Sequence, residues 1–243
     1  MEIVAFFVFF GVMLFLQHWL QQHIQGLTFA VTGNPGCAVR VLFILLLPGV
    51  LLHEASHWAV ANVLGVKTGP INIGLGKMRG NKHFSLGSVT VERTDPLRES
   101  LIGVAPFVSG IMAIWLLMGY GFDLWSVSDP AIVWERIYST LGDPLTWVAL
   151  YLVFAVSTSM IPSASDREPW GVIIVLFGAV GALALVLGWT PNFSPNLIET
   201  ARKVLDALTL VFGTIVVVNG ALAVVIFLLE WGFGAMTQRR VRY

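Results

Sequence analysis

Six apolar stretches, each near the roughly 20 residues a helix needs to cross a hydrocarbon core of about 30 Å, constrain this chain more than any other feature. They run from Ile3 to Leu20, Val39 to Leu64, Leu97 to Phe122, Leu145 to Pro162, Trp170 to Trp189 and Leu205 to Trp231. Hydrophobic residues form 56% of the 243 residues, charged residues only 12%, and the mean hydropathy is +0.81, outside the usual balance of a soluble domain. The fold class expected is an all-α polytopic membrane protein of about six transmembrane helices. One membrane domain is expected over 1–243, with an N-terminal helix and loop in 1–38, a core in 39–170 and C-terminal helices in 171–243. Glu2 stands where a secretory signal would carry a basic region, so the first stretch reads as a retained helix. The only strand-like segment is Val66 to Arg93, where apolar and polar residues partly alternate and Gly80-Asn81 can turn a short hairpin.

Into the second apolar stretch falls His53-Glu54-Ala55-Ser56-His57. Positions i and i+4 share a helix face, so this H-E-x-x-H spacing offers two imidazoles to one zinc ion, with Glu54 beside it as general base. Ionisable groups inside a bilayer are costly and point to function. A catalytic zinc commonly takes a third protein ligand, and Asp166, just beyond the fourth stretch and after the helix-breaking Pro162, is the expected one. Glu168 is the reserve, followed by Asp95, Glu92 and Glu99. With the N-terminus in the cytoplasm, six crossings put ten Lys and Arg residues inside and four outside (Arg40, Arg136, Arg202 and Lys203), in line with the positive-inside rule. The same topology puts His57 and Asp166 near the cytoplasmic face. Pro48-Gly49 is expected to loosen the helix before His53 and admit water.

These residues resemble the site-2 protease family of intramembrane zinc metalloproteases. The likeness is carried by His53-Glu54-Ala55-Ser56-His57, by Leu64-Gly65-Val66-Lys67 before the hairpin, by Asp95-Pro96 opening the third stretch, and by Ser159-x-x-Pro162-x-x-x-Asp166. It covers roughly residues 40 to 170. The family usually has Asn where this chain has Ser159, and Gly where Arg167 follows Asp166. The resemblance implies a three-helix metalloprotease core with a membrane-associated hairpin. It further implies zinc on His53, His57 and Asp166, Glu54 as base, and transmembrane protein substrates in the lipid bilayer.

Other residues carry less. His18 and His23 read as interfacial, His83 as a solvated hairpin residue, and Trp58 and Trp170 as packing around the site. Asp166 also has a competing reading as the N-cap of the helix near Pro169. Lys and Arg balance Asp and Glu at 14 each, which gives no electrostatic case for nucleic acid. The lone Cys37 forms no internal disulfide. Two alternatives stand beside a protease: a zinc-binding pseudoprotease that holds membrane partners without cutting them, and an ion pathway. Oligomeric state is not legible.

Overall fold

A computed structural model describes residues 2–74, 86–125, 130–188 and 194–237. Its elements are α1 (Glu2–Thr32), α2 (Pro35–Val63), β1 (Thr68–Ile73), β2 (Gly87–Val91), α3 (Pro96–Phe122), α4 (Val133–Thr140), α5 (Pro144–Ser159), α6 (Ala164–Arg167), α7 (Trp170–Val186) and α8 (Pro195–Thr237). A single 3₁₀ turn, Pro130–Ile132, leads into α4. The protein is thus mostly helical, with one two-stranded sheet among the described residues. Among those residues five helical segments are long and apolar enough to cross a membrane: Ile3–Thr32 of α1, all of α2 and α3, the α6–α7 stretch Ala164–Val186, and Pro195–Met236 of α8. The fourth expected span is shorter. α5 has 16 residues, about 24 Å of helix, and falls short of a full hydrocarbon core.

The three helices that build the site, α2, α3 and α5, begin in the same way. Asn34-Pro35, Asp95-Pro96 and Asp143-Pro144 each set an Asx side chain at the N-cap and a proline at the first helical position. Asn34 Oδ1 accepts from the Gly36 and Cys37 amides, Asp95 Oδ1 from Arg98 and Asp143 Oδ1 from Leu145. Proline costs nothing there, because its missing N–H would have no helical acceptor. Asp95 lies outside the apolar segments, and the Arg98 amide holds its carboxyl below the usual carboxylate range.

The three capped helices pack on one another, while α1 and α8 run together along the other side of the bundle. Met13 of α1, Phe212 and Ile215 of α8, Val153 of α5 and Ile114 of α3 meet in the largest core cluster. A second cluster joins Leu20 and Ile24 of α1 to Leu46 and Val50 of α2 and Phe154 and Ala155 of α5. The sheet lies against α2. β1 and β2 pair antiparallel, with Thr68 opposite Val91, Ile71 opposite Val89 and Ile73 opposite Gly87. The register shifts between Thr68 and Ile71, where Pro70 brings no amide to the ladder. Gly80-Asn81, His83 and the tail Arg239–Arg242 lie outside the described residues.

Several boundaries differ from those expected. α1 continues past Leu20 to Thr32, and α8 begins at Pro195, ten residues before Leu205. The polar run Gln21-Gln22-His23 marks no helix end, because two of its side chains have partners inside the bundle. Gln21 Nε2 donates to the Thr158 carbonyl, and His23 Nδ1 lies 2.8 Å from Glu230 Oε2 of α8. His23 is accordingly packed within the bundle, stacked on Trp19, whereas His18 is exposed. Pro48-Gly49 leaves α2 uninterrupted. A Cβ at Gly49 would collide with the Ala155 carbonyl and lie 2.7 Å from Ser159 Oγ, so the glycine serves close packing of α2 on α5.

Candidate metal centre

α2 places His53 and His57 one turn apart with ring centroids 4.8 Å apart. Two main-chain carbonyls fix which nitrogen each ring turns inward. His53 Nδ1 donates to the Ser159 carbonyl at the end of α5 (2.7 Å), and His57 Nδ1 donates to the Ile102 carbonyl of α3 (2.8 Å). A carbonyl only accepts, so both Nδ1 atoms carry hydrogen, and each ring in its neutral form turns an Nε2 lone pair inward. The two Nε2 atoms lie 3.2 Å apart.

Asp166 completes a triangle around them. Its Oδ1 is 3.4 Å from His57 Nε2 and its Oδ2 is 3.8 Å from His53 Nε2. Pro162 interrupts the chain after α5, and Ser163 starts the short turn α6 with a reciprocal cap: the Ser163 amide donates to Asp166 Oδ2 (2.7 Å) and the Asp166 amide to Ser163 Oγ. From the other side α3 receives the Asp166 main chain at Gly103, where any Cβ would collide with the Asp166 carbonyl. Asp166 is therefore no N-cap of the following helix. It is the third residue of its own turn, and the Pro169 cap of α7 makes no side-chain hydrogen bond.

Three inward lone-pair donors repel one another in a low-dielectric interior unless a positive charge lies between them. Ligands bound about 2.0–2.1 Å from one tetrahedral ion stand about 3.3–3.4 Å apart. The observed 3.2, 3.4 and 3.8 Å are near that spacing, and the cluster of His53, His57 and Asp166 can hold a metal ion. Their two Nδ1–H···O=C bonds supply the outer hydrogen bonds that orient metal-binding imidazoles.

Glu54 stands apart from the cluster but beside it. It is buried under β2, where a Cβ at Gly87 would approach Glu54 Oε1 to 2.9 Å, and the Val89 main chain lies within hydrogen-bonding reach. A cleft of about 460 Å³ opens beside His57 and Asp166, walled by Val89 and Val91 of β2 and by Glu92, Glu99 and Glu168. None of those three glutamates joins the His pair, and neither does Asp95, which bonds Arg98 instead. Glu99 Oε1 accepts from the Thr94 amide. Trp58 is 44% exposed and is not among the residues that wall this cleft.

Sequence reasoning missed the residues that hold the ligands from behind. The spacing Ser163-x-x-Asp166 is a capping-box signal that was open to reading. The Ser159 and Ile102 carbonyls and the Gly103 contact had no sequence signal, since they depend on how three helices meet.

No protein-family model matches the chain, and no curated protein or solved structure matches it.

Proposed function

We propose that this protein is a zinc-dependent intramembrane endopeptidase that hydrolyses peptide bonds in or near transmembrane segments of other proteins. One observation carries the reading: three lone-pair donors converge beside a buried carboxylate, on an apolar helix. His53, His57 and Asp166 would hold the ion. Two imidazoles and one carboxylate form a donor set that suits zinc and leaves a position for water. Zinc bound there supplies a Lewis acid that polarises a carbonyl and makes water acidic near neutral pH.

The remaining steps belong to the chain's own residues. Glu54 takes the proton of the attacking water and returns it to the leaving amine. β2 offers main-chain groups along the cleft to a substrate stretch unwound into an extended form. The hydrogen bonds from His53 and His57 to main-chain carbonyls orient both rings with Nε2 toward the ion. With the N-terminus in the cytoplasm, the site faces that side, as the excess of basic residues favours.

The test is cleavage of a panel of single-span reporter substrates reconstituted with the protein in bilayers. Cleavage is expected to be zinc-dependent, abolished by a chelator, and lost in Glu54→Gln with zinc still bound. If Glu54→Gln matches wild type in every biological effect of the protein, a non-cleaving, partner-binding role replaces the peptidase.

A further inference from the structure

The last turn of α5 has an unusual problem, and α1 solves it. The Met160 amide closes the final helical hydrogen bond, to the Val156 carbonyl. The carbonyls of Ser157, Thr158 and Ser159 then lie beyond the ladder. Pro162, four residues after Thr158, has no N–H to give, and the Ser163 amide, four residues after Ser159, is turned to Asp166 Oδ2. Unsatisfied carbonyls in a membrane interior are costly.

Each of the three receives a side-chain donor from another helix. Gln17 Nε2 donates to the Ser157 carbonyl (2.7 Å), Gln21 Nε2 to the Thr158 carbonyl (3.3 Å), and His53 Nδ1 to the Ser159 carbonyl (2.7 Å). Gln17 and Gln21 are spaced i, i+4 on α1, so they meet successive carbonyls from one face. α8 adds Asn219, whose Nδ2 donates to Ser157 Oγ at 3.1 Å. Gln17, Ser157 and Asn219 are 2, 0 and 0% exposed.

We infer that Gln17 and Gln21, with Asn219 behind them, are positioning residues of the metal centre. They hold the α5 terminus in the conformation that presents the Ser159 carbonyl to His53, and that carbonyl sets which nitrogen of His53 faces the ion. The inference rests on the metal reading above. It gives α1 and α8, which supply no ligand, a role at the site. It also explains why α1 continues as a helix through its glutamines.

The experiment measures Zn²⁺ affinity of the full chain in detergent, together with the visible absorption of the Co²⁺-loaded protein, which reports ligand geometry. In the Gln17→Met/Gln21→Met variant, zinc is expected to bind about tenfold more weakly, with an altered cobalt spectrum. Gln17 Oε1 has no partner among the described residues, so methionine removes an unsatisfied atom along with the donor, which offsets part of the cost of leaving the Ser157 carbonyl bare. Gln21→Met alone, at a half-buried site, is expected to show a smaller loss in the same direction. Met13→Ala, one turn earlier on α1 and fully buried, is expected to lower thermal stability with affinity and spectrum unchanged. Wild-type affinity and spectrum in both glutamine variants overturn the inference while leaving the metal reading intact. Equal weakening by Met13→Ala also overturns it, because general packing would then explain the effect. A wild type that binds no zinc overturns both.

Discussion

α5 and α7 flank Asp166 on its two sides, and both are short and apolar, yet they have opposite surroundings. α5 buries eight residues, including Ala149, Val153 and Ala155, whereas α7 buries none. Ile174, Val175 and Phe177 of α7 are 66–71% exposed, as suits a helix whose neighbour is lipid. α7 is the more apolar of the two, and polar residues mark the packed one: α5 carries Thr146, Ser157, Thr158 and Ser159, whereas α7 has no polar side chain after Trp170. Helices in a membrane gain nothing from merely hiding apolar surface and associate through close approach and hydrogen bonds. Gly49 of α2 admits the Ala155 carbonyl, and Gly121 of α3 admits Ala149 Cβ. The glycines of α7, Gly171, Gly178 and Gly181, have nothing within 4 Å of an added Cβ.

The contrast breaks first at Gly49. Gly49→Leu should cost about 3 kcal/mol by forcing α2 from α5, and should abolish metal binding, because His53 would lose the Ser159 carbonyl. Thermal unfolding in detergent and zinc content check both. A stable, zinc-loaded variant would mean that the close approach is dispensable. Next comes Gly103→Val, which displaces the Asp166 main chain; zinc affinity, read by competition with a chelator dye, should fall at least about tenfold. Thr146→Val then probes a buried polar contact at the start of α5. Its hydroxyl meets the Thr140 and Gly121 carbonyls at 2.8 and 3.1 Å, and loss of the donor should lower stability by about 1–2 kcal/mol without changing zinc affinity. The smallest effect belongs to α7. Gly178→Ala should raise stability by about 0.5 kcal/mol, through helix propensity alone. A large loss there would show that α7 packs against something other than lipid.

Much of the fold was legible, for physical reasons that can be named. Long apolar stretches have few options, so the helices at α1, α2, α3, α7 and α8 followed from hydropathy, and the alternation around Ile71 and Val89 marked the strands. The entry motifs Asn34-Pro35, Asp95-Pro96 and Asp143-Pro144 would have fixed three helix starts to the residue. Ends were harder. Gln21 and His23 looked like a polar boundary until the structure supplied Thr158 and Glu230 as partners. α4, eight residues with no long apolar run, gave no membrane signal at all.

The site divides in the same way. His53 and His57 are joined by helix geometry and could be paired from spacing alone. Asp166 lies more than a hundred residues away, and was reachable through the expectation that a carboxylate completes such a pair, through the shared side of the membrane and through the Ser159-x-x-Pro162-x-x-x-Asp166 likeness. The polar support from Gln17, Gln21 and Asn219 was invisible, because nothing local tells which helix a lone glutamine will face.

Zinc content of purified wild type, Glu54→Gln and Asp166→Ala, measured by elemental analysis on the same preparation, tests the central claim most directly. The account predicts stoichiometric zinc in the wild type and in Glu54→Gln, and a sharp fall in Asp166→Ala. Zinc retained without Asp166, or a wild type that cannot be loaded, would contradict it.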